Sequence, residues 1–270
     1  MQNVFHKKIE LSEWDYFASC FKNYLSGSPD SKVLIKDESS YGAIAVPSLD
    51  ILGFNRALKI GIDAPLKSTG IDEIMDFFRD NKIPRFFVQV SPEAEPGNIK
   101  DVLLSKGFKH YNNWAQLYYE LPSDKLPKIE SALSVKPIGL NEKSDFSRII
   151  AESFGWEGLA GEIISAGIGR DDWLYFLIYD GDTPISAAAM HFYEDIASLA
   201  IGATLEEHRG KGAQKVLINY RTNKAIEAGC KFLATETAED TPEKPSPSYR
   251  NMIRSGFKLA YVRPNYIFEF

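Results

Sequence analysis

Apolar and polar positions follow a strand rhythm through the middle of the second half of the chain. Trp173 to Tyr179, Pro184 to Tyr193 and Ile196 to Thr204 are apolar runs of strand length. The pairs Gly181-Asp182 and Glu194-Asp195 separate them, and links this short force consecutive strands into an antiparallel meander. Ahead of the meander, Ser144 to Phe154 and Leu159 to Ala166 have a helical period. Behind it, Ala213, Val216, Leu217 and Tyr220 stand at the i, i+3, i+4, i+7 spacing of a helix with one buried face, and Gly229 is a natural stop. A further strand is predicted over Lys231 to Thr237.

The same order occurs earlier in the chain. Gly256 to Phe270 resembles Gly107 to Leu121 over equal lengths, each opening on Gly-Phe-Lys. Short helical segments precede both, Ile99 to Lys106 and Ser248 to Ser255, and the strand candidate Arg85 to Val90 stands where Lys231 to Thr237 stands in the second copy. A repeat of this length exceeds solenoid periods and predicts two related domains. Their join is expected near Pro122 to Pro127, where proline and charge interrupt the apolar pattern, giving domains over 1–125 and 128–270.

Composition narrows the function. The 270 residues are 44% hydrophobic, enough core for two domains, and the net charge of −6 argues against a nucleic-acid partner. Cys20 and Cys230 stand alone, without the spacing of a disulfide framework or a metal site, and are expected to be buried small hydrophobes. The first residues lack the apolar core of a signal peptide and no run is long enough to span a membrane, so a cytoplasmic protein without a membrane partner is expected, as a monomer or homodimer. Asp171 and Asp172 read as a turn or cap, His191 as a core histidine, and the aromatic residues around Phe54, Phe86 and Trp114 as the N-terminal core.

The stretch Glu207 to Gln214, EHRGKGAQ, joins the last meander strand to the following helix. Gly-x-Gly alone fits an ordinary turn. Its place at a helix start aims backbone N–H groups and the positive end of the helix dipole at one spot, which suits an anionic ligand. A Walker loop is excluded because no Ser or Thr follows Gly-Lys, and a dinucleotide fingerprint because Lys215 stands at the third glycine and the preceding strands are antiparallel.

What remains is the pattern Q/R-x-x-G-x-G/A after an antiparallel strand, and here the sequence resembles the GNAT superfamily of acyl-CoA-dependent N-acetyltransferases. The resemblance covers roughly Ser134 to Phe270, includes Gly256-Phe257, and extends to a tandem bacterial type with a degenerate N-terminal copy, since Asp63 to Gly70 has no G-x-G and carries a proline where donors are needed. It implies an α/β fold of two GNAT-like domains, each a mixed, mostly antiparallel sheet flanked by helices. It further implies acetyl-CoA as co-substrate, without a metal, and a primary amine on a small molecule as acceptor. His208, Arg209, Gly210, Lys211, Gly212, Ala213 and Gln214 would hold the pyrophosphate of CoA, and backbone groups of Gly202, Ala203 and Thr204 the pantetheine and the thioester carbonyl.

Three residues depart from the family pattern. Glu207 replaces Gln or Arg and is expected to turn outward; Gln214 replaces a small residue; Met252 occupies the slot of the tyrosine that protonates the departing thiolate. For chemistry, Glu236 is the candidate base, sharing a strand face with Ala234 and Ala238, and Tyr249, one turn before Met252, is the candidate acid. A surface glutamate and a packed tyrosine fit the same residues. A non-catalytic acyl-CoA-binding or sensing protein, and an aminoacyl-tRNA-dependent transferase of tandem GNAT form, are the alternative functions.

Overall fold

The computed structural model describes the backbone of residues 2–270 and the side chains from residue 4 onward. The chain is mixed α/β and divides into two compact units, both discontinuous: residues up to Gln116 with 237–249 and 259–270, and residues 117–236 with 250–258.

The first unit begins with the long helix α1 (Gln2–Gly27), followed by β1 (Leu34–Glu38), β2 (Tyr41–Ala45), β3 (Arg56–Leu58), α2 (Gly70–Asp80), β4 (Arg85–Gln89), α3 (Ile99–Ser105) and most of β5 (Lys109–Glu120). Its sheet runs β1-β2-β3-β4 and continues into β11 (Lys258–Glu269). The first two pairings are antiparallel, β3 and β4 are parallel, and β11 returns antiparallel with Ile267 opposite Phe87. A parallel pair needs a crossover, and α2 is that crossover. Its Ile71, Ile74 and Phe78 are buried, and Phe78 stacks on Phe86 with ring centres 4.0 Å apart. Of the aromatic residues expected in the core, Phe54, Phe86 and Phe87 are buried, whereas Trp114 is only half-buried.

The second unit holds β6 (Leu133–Pro137), α4 (Lys143–Phe154), α5 (Gly158–Ile164), β7 (Trp173–Asp180), β8 (Thr183–Tyr193), β9 (Ile196–Thr204), α6 (Ala213–Glu227), β10 (Phe232–Ala238) and the end of α7 (Pro247–Arg254). Strand order is β10-β9-β8-β7-β6. The meander β7, β8, β9 is antiparallel as its short turns require, and β9 and β10 are parallel across α6. Cys230, expected to be buried, is half-buried in the turn after α6; Cys20 lies in the core.

The two copies match down to single hydrogen bonds. Gly107 and Gly256 have φ of +91° and +93°, a left-handed conformation that favours glycine. Each closes its helix with the same pair of bonds: Gly107 to Leu104 O and Phe108 to Leu103 O in one, Gly256 to Ile253 O and Phe257 to Met252 O in the other. Phe108 and Phe257 then insert into the cores. What the repeat does not display is the partner of each final strand. β11, in the second sequence copy, pairs with β4 of the first unit, while Leu121, just past β5, donates its N–H to Lys231 O in the second unit. A periodic pattern identifies a strand and its buried face, whereas its neighbour depends on long-range packing.

A buried ionic cluster fixes β11 in the first unit. Arg263, fully buried, donates from Nη1 to Glu10 Oε2 at 2.8 Å and from Nη2 to Glu13 Oε1 at 2.9 Å. The Tyr261 hydroxyl donates to Glu10, and Gln116 Nε2 to Glu13. From there Arg56 donates to Gln89, Gln89 to Asn265, and Asn265 to Asn112. Arg56 also lies 4.1 Å from the centre of the Phe17 ring. Two carboxylates face two guanidinium groups, so the buried charge balances.

Removing one member of such a set leaves an uncompensated charge in the core, at a cost of about 3–5 kcal/mol. Arg263→Met is therefore expected to lose stability on that scale in urea denaturation at pH 7. The pH dependence has its own sign. Burial raises the Glu10 carboxyl above its ordinary range, Arg263 opposes the rise and Glu13 adds to it. A carboxyl whose folded pKa exceeds its unfolded one stabilises fully below the unfolded value and loses that contribution as pH climbs through the folded value. Glu10→Gln should accordingly flatten the fall in melting temperature with rising pH just above the usual carboxylate range; an unchanged profile would assign that fall to other groups. Residues 128–270 expressed alone leave Tyr261, Arg263 and Asn265 without these partners, and the fragment is expected to give no cooperative melt.

Candidate functional site

The second unit has a strand edge that its sheet leaves open. β10 lies parallel to β9 through Phe232 opposite Ile196, Leu233 opposite Ala197 and Ala234 opposite Ser198, and the paired register stops there. β9 itself continues to Thr204 against β8. At the point of parting β9 carries a bulge: Ala189 faces Ile201 and His191 faces Ser198, so Leu199 and Ala200 together oppose the single Met190. Beyond the bulge the ladder is regular, and Leu205 donates its N–H to Ile185 O. Antiparallel alternation then turns the backbone groups of Ile201 and Ala203 toward β8 and those of Gly202 and Thr204 toward the edge that β10 has left. Gly202 is exposed, and Ala203 and Thr204 are half-buried.

The loop after β9 begins with a 3-10 turn, Glu206–His208, and leads into α6 through two left-handed glycines, Gly210 and Gly212, each with φ +82°. Nothing lies within 4 Å of where a Cβ would stand on either, so both present bare backbone. Gly212 is the N-cap of α6; no side chain caps the helix and its first turn holds no acid, which leaves N–H groups and the positive end of the dipole for a ligand. Arg209 reaches back to Thr204 O at 3.4 Å. Lys211 bonds Asp180 at 2.6 Å, and this hydrogen bond holds the exposed Asp180 carboxyl below its usual range. His208 Nδ1 lies 3.5 Å from Lys211 Nζ. Glu207 points outward, and Gln214 accepts a 2.5 Å hydrogen bond from Asn251 on α7.

The strand end 202–204 and the loop 208–214 thus lie in a single unit, tied together by the Arg209 to Thr204 O hydrogen bond. Glu236 is half-buried on β10, two residues past the last paired position, on the face it shares with Ala234 and Ala238. Tyr249 is half-buried in the first turn of α7 and falls in the first unit, so the two candidates for chemistry come from different units. Its N–H is taken by Ser246 Oγ at 3.3 Å. Met252 is buried. His191 is fully buried, with Nε2 3.2 Å from Asp172 and its ring against Trp173, the core role expected of it.

The buried face of α6 holds a residue that its apolar spacing does not display. The buried stripe is Ala213, Leu217, Ile218, Arg221, Thr222 and Ala225, in place of one through Val216 and Tyr220. Arg221 Nη1 donates to Ala189 O at 3.3 Å and to Ile201 O at 3.2 Å, the two residues that face each other beside the bulge. Nη2 lies 3.5 Å from where a Cβ would stand on Gly202. No carboxylate is paired with this guanidinium among the described residues, and burial pulls its pKa down to about 9. The signal was present in the i, i+4 spacing from Leu217, yet a charge at a stripe position is ordinarily read as the stripe's edge.

Comparison with known proteins places this fold. No family model matches the chain, and no curated protein matches it. Solved structures do. A GCN5-related N-acetyltransferase from Kribbella flavida superimposes with a TM-score of 0.61 at 19% identity, over 92% of this chain and 94% of that one. One from Sphaerobacter thermophilus gives 0.59 at 10% identity, over 90% and 84%. A tandem GNAT protein from the clavulanic acid biosynthesis pathway gives 0.60 at 12% identity, over 85% and 78%. The chain has the fold of the GCN5-related N-acetyltransferases.

Proposed function

We propose that the protein is an N-acetyltransferase that moves an acetyl group from acetyl-CoA to a primary amine of a small acceptor. The observation that carries this reading is the open edge of β9 ending in a glycine-lined helix start. Pantetheine is an extended chain with two amides, and the alternating groups of Gly202 and Thr204 are spaced to pair with it as a strand would. The loop backbone from Arg209 to Ala213, with Arg209, Lys211, His208 and Gln214 around it, suits the pyrophosphate. Because Lys211 is already bonded to Asp180, the N–H groups and the helix dipole carry most of that binding.

In this reading the bound co-substrate supplies an activated acyl carbonyl, and the chain positions it and handles protons. The N–H of Gly202 faces the thioester oxygen, Glu236 takes the amine proton, directly or through water, and Tyr249 or solvent returns one to the thiolate. A thiol of pKa about 8.5 leaves readily, so the buried Met252 at the acid slot does not prevent turnover. It does favour a second reading, a non-catalytic acyl-CoA sensor. The N-terminal copy, whose segment Asp63 to Gly70 lacks the glycine loop, has a structural role. We place the protein in the cytoplasm, as a monomer or homodimer, with no metal in its mechanism. Among the described residues no helix is long and apolar enough to cross a membrane.

Isothermal titration is expected to find about one acetyl-CoA per chain. Gly212→Asp should abolish binding: its Cβ meets no protein atom, but φ +82° is strained for aspartate and the new carboxylate repels the pyrophosphate. Unaltered affinity would move the site elsewhere. Thioester turnover over a panel of amines then separates enzyme from sensor. Removing a general base costs about 10²–10⁴-fold in rate, so Glu236→Gln should lower kcat at neutral pH, leave acetyl-CoA affinity nearly unchanged and recover partly at higher pH as the free amine deprotonates. Tyr249→Phe should cost less. Wild-type turnover by Glu236→Gln from pH 6 to 9 would remove Glu236 from the mechanism.

A further inference from the structure

A buried guanidinium without a carboxylate is a costly feature, and Arg221 places one beside the point where β9 leaves β10. Its Nη1 bridges the carbonyl oxygens of Ala189 and Ile201, and among the described residues its Nε has no hydrogen-bond partner. Both carbonyls belong to the facing pair Ala189 and Ile201 and point between β8 and β9, and Arg221 reaches both from α6. Its charge has a consequence at the neighbouring peptide.

The carbonyl of Ile201 and the N–H of Gly202 belong to one peptide group. In a trans peptide they point in opposite directions. With Ile201 O drawn toward Arg221 and β8, the Gly202 N–H is turned into the open edge. A cation on the oxygen of an amide withdraws electron density through the peptide and makes its N–H a stronger donor, an effect that burial preserves because water does not screen it. Nη2 and Nη1 lie 3.5 and 3.8 Å from where a Cβ would stand on Gly202, so the guanidinium packs directly against this residue.

We propose that Arg221 is a positioning residue that acts through the Ile201–Gly202 peptide, fixing its orientation and polarising the Gly202 N–H as the donor to the thioester carbonyl oxygen. The inference rests on the reading of the β9 edge as the acyl-CoA site. It differs from that reading in assigning part of the carbonyl's activation to a side chain on α6 that does not touch the ligand.

The test is infrared spectroscopy of acetyl-CoA carrying ¹³C at the thioester carbonyl, bound to the full-length protein, alongside titrations with acetyl-CoA and with CoA. In the wild type the carbonyl band should lie below its position in water. In Arg221→Met it should return most of the way, the preference for acetyl-CoA over CoA should fall, and kcat should drop by about tenfold with KM for acetyl-CoA little changed, less than the loss of a whole oxyanion donor. Arg221→Lys, which keeps a cation, should retain much of the band shift. Melting curves establish that the variants fold. Replacing a buried charge with an apolar residue of similar size is often tolerated, and should Arg221→Met not fold, Arg221→Gln removes the charge while keeping a donor and serves the same comparison. A bound band at the wild-type position in the neutral variant overturns the role of Arg221 alone. Failure of the wild type to bind acetyl-CoA overturns the reading of the site, and this inference with it.

Discussion

A backbone N–H or C=O that leaves its ladder needs another partner, and the second unit is organised around a place where several leave at once. The parting of β10 from β9 after Ser198 exposes a row of groups at Gly202 and Thr204 that no strand covers. The bulge at Leu199 and Ala200 adds twist where it is needed, since an extra residue bends the strand away from its neighbour. The helix that would cover the gap, α6, instead begins at the end of this edge and leaves its first N–H groups uncapped. In the proposed reading, sheet edge and helix start present their donors to one extended, anionic ligand.

Much of this was legible in the sequence because it rests on local rules. Two glycines between a strand and a helix mark backbone that must reach positive φ, and Gly210 and Gly212 do so. The meander followed from turns too short to permit crossovers, and the repeat followed from Gly107 and Gly256, whose helix caps are the same. The remainder was hidden because it depends on partners distant in sequence. Arg221 reads as a polar surface position until β8 and β9 are set against it, and Arg263 as a strand-edge cation until α1 supplies Glu10 and Glu13. The exchange that seats β11 beside β4 leaves no trace in periodicity, since a strand paired to either neighbour has the same alternation.

The two buried arginines solve opposite problems. Arg263 faces two carboxylates in a closed, charge-balanced network, where the gain is a defined position for β11 more than net stability. Arg221 faces only carbonyl dipoles, so its field is left to act on the peptide groups around it. One charge is quenched to fix a strand. The other is left unquenched beside the open edge.

The placement of β11 also bears on how the chain comes into being. Residues 259–270 complete the unit that the first 116 residues begin, and all of 117–236 lies between them in the order of synthesis. At ribosomal speeds of about 5–20 residues per second, the first unit waits roughly 7–30 seconds with the Phe87 edge of β4 unpaired and Glu10 and Glu13 lacking Arg263. The open edge invites a stray strand from another chain, but with Arg56 already facing Glu13 one carboxylate still lacks a counter-charge, and it penalises any strand that does not bring a guanidinium at the right register. β11 brings that guanidinium as Arg263, at the register where Glu10 and Glu13 receive it.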